Sequence, residues 1–540
     1  MRGTMQVDPL TLGQIFKHGR RLHAASRVIT EAKDGRREST FAEVADRAEL
    51  LASALADLGV QPGDRVASFC WNHQEHLELY FAVPATGAVL HTLNVRLHPD
   101  QLAYIASHAE DSVIVVDAGL WPQFNAFRHG LRGVRHVIVV DRPGIEIADA
   151  DVLHYEELIS KASPCKLWPD VDENDAVQLC YTSGTTGDPK GVAYSHRSVY
   201  LHSLILMSSA GFEIAERDVV LIVVPLYHAA AWGLPFAAWW AGSDMILPEN
   251  MLGGPQLARI VADLRPTVSC GVPTVWTDLL RCAREQQVDL TSLRFVLSGG
   301  SALPHSLKEG YRAAGVDLVQ GWGMTETSPL AAVGRSPKDE SDPEAWWRSR
   351  TGRIIPGVEI RIVDDNDEEQ PWDGKCVGEI EIHGPWIAGS YLGAVGPDRF
   401  HDGWLKTGDV ASIDRHGAIQ ITDRIKDLIK SGGEWISSVE IENTLAAHPA
   451  VERACVIGIP DDRWQERPLA VVQRGGAPGE PASPGAAELR DWLAGRVAKW
   501  WIPEHWAFVG EIPLTSVGKL DKKRLRAMYS AGQLPHETLS

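Results

Sequence analysis

The sequence predicts a mixed α/β protein: a large N-terminal domain of layered α/β subdomains that closes with a β-rich subdomain, followed by a small α+β C-terminal domain. Three observations carry this. Apolar strand-like runs alternate with helical patterns, as in RVASFC, SVIVVDAG, HVIVVDRP and AVQLC, which is the signature of α/β layering around largely parallel strands. From about residue 350 the pattern shortens to strands and turns, GVEIRIVDDN, VGEIEIHGP and GAIQITDR. After DRIKDLIKSGG, residues 423 to 433, where charges and glycines cluster, the chain carries its own helix, SSVEIENTLAAHP, and strands, ERACVIGIP and LAVVQR, enough for a separate small domain. The boundary is placed between 425 and 426, giving domains 1–425 and 426–540.

The elements follow in order. Residues 10 to 60 carry helical periodicity, with FAEVADRAELLASALADLGV stopping at Gly59 and QPGD turning the chain. The strand RVASFC follows, then WNHQEHLELYFAVPATGAVLHTLN, read as helix, stop at Gly87 and strand. At 540 residues the chain exceeds one core. Hydrophobic residues make up 44% and charged residues 23%, an ordinary globular balance. No uncharged apolar run approaches the roughly 20 residues of a membrane helix, and the start lacks the apolar stretch of a secretory signal. We therefore expect a cytoplasmic protein without an integral membrane segment. The seven cysteines are scattered and never spaced C-x-x-C, which indicates neither a disulfide framework nor zinc. A net charge of −19 argues against nucleic acid as a partner.

The stretch with the clearest chemical demand is YTSGTTGDPKGV, residues 181 to 192. Two hydroxyl runs and three glycines expose N–H and O–H groups to an anion without blocking side chains. Counting the Walker A pattern from Gly184 puts Pro189 where its second glycine must stand, so that pattern fails. A polar turn cluster without a ligand is the bland alternative. Downstream, VVLIVVPLYHAAAWG sets His228 and Trp232 four residues apart, a spacing that on a helix places both on one face; a core histidine and core tryptophan would read the same way. LRFVLSGG ends at Gly300. In VDLVQGWGMTETSPL an aromatic flanked by glycines suits a purine face, and Thr325 beside Glu326 suits oxygen coordination of Mg²⁺. DGWLKTGD puts Asp409 at a strand start, where a carboxylate can accept from ribose hydroxyls. PLTSVGKLDKKRLR places Lys519 on a glycine-flexed loop before a basic helix.

Taken together, YTSGTTGDPKG, GWGMTE, DGWLKTGD, DRIKDLIKSGGEWISSVEIE and PLTSVGK resemble, in order and spacing, the acyl-adenylate-forming superfamily, across nearly the whole chain. KDLIKSGGEWISS, GVPTVW, WQERPLAVV and GRVAKWWIP are similar to its bacterial medium- and long-chain fatty acyl-CoA synthetases and 3-methylmercaptopropionyl-CoA ligases. The resemblance implies ligation of a carboxylic acid to CoA at the expense of ATP, with Mg²⁺, through an acyl-AMP. It implies that the C-terminal domain is a mobile lid.

Residue by residue, it implies that Thr182, Ser183, Gly184, Thr185, Thr186 and Gly187 hold the β- and γ-phosphates, and that Thr182 and Glu326 hold Mg²⁺. Thr325 and Lys519 would meet the α-phosphate and the attacking carboxylate. Gly300, Gln320, Gly321 and Trp322 would form the adenine slot, and Asp409 with Arg424 would hold the ribose. Lys426 would be the hinge whose rotation brings Lys430, Gly432, Gly433 and Trp435 to the site for the CoA step. His228 would position or shield the carboxylate, and Trp232 would gate the acyl pocket. At Ala229, Ala230 and Ala231 the chain departs from relatives with larger or polar residues, which would widen the pocket or ease backbone packing. The expected acid is a medium- or long-chain fatty acid; the alternatives are a short or methylthio-substituted acid, or delivery to a carrier-protein phosphopantetheine or, as in luciferases, to oxygen. Relatives of this kind are often homodimers.

Overall fold

The computed structural model describes all residues except 2, 165–167, 183–187, 343–349, 432–433, 476–483, 516–517 and 540. Three sheets organise the described residues. The first has seven strands, Val152–His154, His136–Val140, Asp111–Asp117, Arg65–Phe69, Val89–Thr92, Ala176–Tyr181 and Gly191–Ser195, in that spatial order. Every pair is parallel except the last. Several strands are buried along their whole length, as expected where a parallel sheet is covered on both faces.

The second sheet has fourteen strands. Its first half is parallel, from Arg27–Ala32 through Asp244–Leu247, Val219–Leu221, Val268–Gly271 and Phe295–Ser298 to Leu318–Gly323. At Leu318–Gly323 the pairing turns antiparallel, and Leu330–Val333, Gly352–Ile354, Ala418–Arg424, Trp404–Ile413, Gly378–His383 and Glu359–Val363 continue it. The β-rich segment after 350 is thus hydrogen-bonded onto the α/β layer rather than standing beside it. The third sheet has six strands and begins at Ile429–Ser431. Its centre is the hairpin Val451–Asp461 with Gln465–Arg474, and the helices Ser438–Ala446 and Ala486–Leu493 cover one face around Trp506.

The helix Gln74–Ala85 lies wedged between the first two sheets and is buried on every side. That is why it shows so little amphipathic pattern. Its Glu78 is carried there by Arg47 at 2.6 Å and the Tyr155 hydroxyl at 2.6 Å, as a buried carboxylate requires. The continuous helical reading of residues 10 to 60 needs correction. A hairpin, Arg27–Ala32 with Gly35–Thr40, separates helix Leu12–Leu22 from helix Phe41–Asp57. The second helix starts where it does because Thr40 accepts from the Glu43 N–H while Glu43 accepts back from Thr40, a capping box. Six of the seven cysteines are described, all as free thiols, five of them buried.

Candidate active site

Thr182 and Lys190, the described ends of the hydroxyl-rich stretch, extend a pair of antiparallel strands. Strand Ala176–Tyr181 pairs antiparallel with Gly191–Ser195; Thr182 donates its N–H to the Lys190 carbonyl at 2.9 Å, and the Lys190 N–H returns to Thr182 Oγ1 at 3.2 Å. This explains why the Walker count failed: the chain returns as a strand, and no helix N-terminus follows the loop directly. Ser183, Gly184, Thr185, Thr186 and Gly187 lie outside the described residues, as do Gly432 and Gly433.

Thr182 opens on a cavity of about 370 Å³ whose walls also include His228, Trp232, Gly300, Gly321, Trp322, Thr325, Glu326, Arg424, Lys426 and Lys519. Eleven residues singled out in the sequence, drawn from positions 182 to 519, meet there. Gln320 and Asp409 line the adjoining cleft of about 1400 Å³, which shares the Gly300, Gly321, Trp322 and Lys519 wall. Lys430 and Trp435 are not brought to either cavity. Both exposed, they face each other across neighbouring strands, with the Lys430 ammonium 4.6 Å from the Trp435 ring centre.

Asp409 is a node. Its Oδ2 accepts from the Trp322 indole N–H at 2.8 Å and its Oδ1 from Arg424 Nε at 3.0 Å, while its own residue stands opposite Arg424 on the neighbouring strand. Each oxygen retains a lone pair for a further donor. It lies within strand Trp404–Ile413, not at a strand start; Gly408 before it has φ of +75°, and the ladder to Ala418–Arg424 shifts register just after it, between Val410 and Ala411. Gly321 is required by packing, since a Cβ there would stand 2.7 Å from Leu297 Cδ2.

Lys519 enters from the last segment on a clamped turn. Thr515 donates its N–H to the Lys519 carbonyl at 2.7 Å and accepts from the Lys519 N–H through Oγ1 at 3.1 Å, with Gly518 in the left-handed region at φ +79°. Across the cleft, Gly300 makes room for it: a Cβ there would lie 3.1 Å from Lys519 Cε. Burial, then the neighbouring Arg424 guanidinium, brings the ammonium down to about 8. The protonated form is the one that can meet a phosphate or carboxylate. We therefore predict that kcat/KM for ATP falls as pH rises through about 8, and that the fall moves to higher pH in kcat, because bound phosphates restore the proton. A profile flat to pH 9.5 would exclude this; a pH series of pyrophosphate exchange measures it.

His228 and Trp232 do share the cavity, but not on a helical face. Residues 229 to 232 form a left-handed turn, with φ of +38°, +45°, +52° and +56°, before the right-handed helix Leu234–Ala241 begins. Such a run costs L-residues on the order of 1–2 kcal/mol each. It is held by its surroundings: Ala229 to Trp232 are all buried, and Trp232 lies against Gly299. Upstream, the Asn72 amide donates to the Ile222 and Val224 carbonyls at 2.8 and 2.9 Å and accepts from the Leu226 N–H at 2.7 Å. It thereby stitches the first sheet's Trp71–Asn72 loop to the segment that delivers His228. Burial, with the positive Lys519 nearby, brings the His228 imidazole down to about 3, so the ring is neutral at physiological pH. A neutral ring can donate its one N–H to a carboxylate without adding a charge of its own.

Sequence reasoning missed Tyr391, Arg399 and Glu379, which also line the smaller cavity. Glu379 sits inside a strand read only as a strand, the stretch from GPWIAGSYLG to Arg399 has glycines but no hydroxyl run or charge pattern that points to a ligand, and Tyr391 finds its partner Glu326 65 residues away. Burial and that carboxylate raise the Tyr391 phenol, which stays a donor.

An ATP-sized cleft between a large sheet domain and a small capping domain, with a hydroxyl hairpin, an acidic pair of positions and one lysine delivered by the cap, defines the adenylate-forming class of enzyme. The chain belongs to the AMP-binding enzyme family, which it matches over residues 17–392, with the AMP-binding enzyme C-terminal domain over 440–519. It is 41% identical to the 3-methylmercaptopropionyl-CoA ligase of Ruegeria pomeroyi, over 98% of this chain and 99% of the relative. It is 43% identical to the long-chain-fatty-acid–CoA ligase of Thermus thermophilus, over 97% of each. Among solved structures, the anthranilate CoA ligase AuaEII in complex with anthranoyl-AMP superposes with a TM-score of 0.88 at 27% identity, over 98% of this chain and 99% of that one. The protein is an AMP-forming acyl-CoA ligase that works through an acyl-adenylate.

Proposed function

We propose that the protein activates a medium- or long-chain fatty acid. The observation behind this is the chemistry of the cavity beside His228 and Lys519: Phe212, Trp232, Leu297, Met324 and Leu330 line it. An apolar wall of this kind suits an aliphatic tail, and a second polar group on the acid would lose its water without a partner.

In the first half-reaction the acid's carboxylate attacks the α-phosphate, and charge grows on the phosphate oxygens. Lys519 and the Thr325 hydroxyl are the donors aimed at that charge, and they stabilise the transition state more than the bound substrates. His228, being neutral, orients the carboxylate. Trp322, Gly300, Gly321 and Gln320 receive the adenine, and Asp409, already holding Arg424, accepts from the ribose. Thr182 and Glu326 fit Mg²⁺ as hard oxygen donors: one Glu326 oxygen is taken by Tyr391, and the other has no hydrogen-bond donor among the described residues. Mg²⁺ held there would neutralise charge on the leaving pyrophosphate. In the second half-reaction CoA needs the space that Lys519 fills. Turning of the 426–540 lid about Lys426 would withdraw Lys519 and present Lys430, Gly432, Gly433 and Trp435; of these, Lys430 and Trp435 stand apart from the two cavities in this structure. With its pKa brought down to about 3, the His228 imidazole is too weak a base to do much for the thiol, which attacks an already activated acyl group.

The test is pyrophosphate exchange across straight-chain acids of increasing length and 3-methylmercaptopropionate, with and without CoA. We expect exchange to peak at medium or long chains, with thioester formed only when CoA is present. A peak at the methylthio acid or at acids of four carbons or fewer would replace the fatty-acid reading. That second reading has one observation in its favour: Trp232, packed on Gly299, closes one wall of the cavity.

A further inference from the structure

Loop 384–392 is latched onto the turn that carries Thr325 and Glu326. The Ala388 N–H donates to the Glu326 carbonyl at 2.8 Å, the Ser328 hydroxyl donates to the Trp386 carbonyl at 2.7 Å, and the Trp386 indole donates to the Leu330 carbonyl at 3.3 Å. The first joins main chain to main chain, and the other two tie a side chain to a carbonyl. A fourth is different in kind: the Tyr391 hydroxyl donates to Glu326 Oε1 at 2.5 Å, a short bond of the sort made to a charged carboxylate.

Tyr391 is buried at 4% exposure, and its ring is wedged edge-on against Phe400. The ring face carries a second contact, the Lys190 ammonium 4.9 Å from its centre, within cation–π range. Lys190 is also the residue whose backbone closes the hydroxyl hairpin through Thr182. One side chain therefore touches the carboxylate on one side of the cavity and the root of the phosphate hairpin on the other. Glu326 and Lys190 are not joined to each other directly among the described residues.

We propose that Tyr391 is a positioning residue for the metal–nucleotide: it commits Glu326 Oε1 to the phenol so that the other oxygen faces the metal, and it holds that carboxylate in register with Thr182 through Lys190. The proposal rests on the reading of Glu326 as a metal-holding group. It needs no new reactant. A carboxylate free to rotate would meet the metal in several arrangements, whereas one pinned at a single oxygen meets it in one.

The experiment titrates Mn²⁺ by electron paramagnetic resonance into the full-length protein with α,β-methylene-ATP, and repeats the titration for Tyr391→Phe, Tyr391→Leu and Glu326→Gln. Tyr391→Phe keeps the ring under Lys190 and removes only the donor. We expect it to weaken Mn²⁺ binding about tenfold, with metal-free nucleotide affinity, the KM for the acid, thermal stability and thioester formation from supplied acyl-AMP as in the parent. Tyr391→Leu, which also removes the ring, is expected to be weaker still. If Glu326→Gln loses Mn²⁺ while Tyr391→Phe binds it like the parent, the Tyr391 proposal is overturned and the reading of Glu326 stands. If Glu326→Gln itself binds Mn²⁺ like the parent, that reading fails first. A Tyr391→Phe protein that loses stability and both half-reactions together would show a structural role only, and would also overturn the proposal.

Discussion

Lys519→Ala is expected to reduce acyl-AMP formation by about 10²- to 10³-fold, the range for removing one donor aimed at developing negative charge, while leaving thioester formation from supplied acyl-AMP near the parent rate. The asymmetry follows from position. Lys519 reaches the cavity only because the turn Thr515–Lys519 is closed on itself and Gly300 leaves room opposite; nothing in its surroundings ties it to a step in which the cap has moved away. Its ammonium is a compact charge on a long stem, and in this arrangement it is already partly desolvated, so each contact with a phosphate counts for more than it would in water. Single-turnover measurement of the two half-reactions on one preparation decides the matter. Equal losses in both would mean that the lysine serves both states of the cap, and the division of labour between the two faces would be abandoned.

Asp409→Ala should act on stability and on ATP together. The side chain leaves behind a buried indole N–H and a guanidinium that had shared its carboxylate. An orphaned buried donor costs roughly 1–3 kcal/mol; the Arg424 side chain is 41% exposed, so water recovers part of the ion-pair loss. A total near 2 kcal/mol follows, read as a lower Tm. The loss of ribose contacts to a charged acceptor adds a rise of about tenfold or more in the KM for ATP. Asp409→Asn separates the two effects, because an amide oxygen can still accept from Trp322 while the charge facing Arg424 is gone. The asparagine variant should recover most of the stability and little of the ATP affinity. If alanine and asparagine were indistinguishable from the parent in KM, Asp409 would be a strand-to-strand tie and nothing more.

Much of this site could be read in the sequence because its parts are short runs whose composition has few other uses. Hydroxyl and glycine cannot build a core, so YTSGTTGDPKG declares itself; glycines around Trp322 and the GK pair at Lys519 do the same. What escaped detection is governed by contacts made across long separations. Tyr391 meets Glu326 only because an unremarkable loop is latched to the turn by hydrogen bonds to main-chain carbonyls. Asn72 fixes the His228 segment from 150 residues away, and an asparagine after a strand looks like any turn residue. The hairpin Arg27–Thr40 was lost inside a helical reading because its second strand, GRREST, is mostly exposed and polar and offers no alternation to count. The four-residue spacing of His228 and Trp232 misled for another reason: period reports a helix of either hand, and handedness is not written in spacing.

That handedness bears on what the three alanines are for. Ala230 and Ala231 do not line the cavity; only Ala229 and Trp232 of the run do. With φ between +38° and +52°, a branched side chain at these positions would clash with its own backbone, and alanine is the smallest chiral residue that closes the turn. Ala230 and Ala231 therefore serve the course of the main chain, and of the three only Ala229 also faces the cavity. Bulkier residues at 230 and 231 would be felt first in the course of the backbone, whereas substitutions at Phe212, Leu297, Met324 and Leu330 would act on the cavity wall itself.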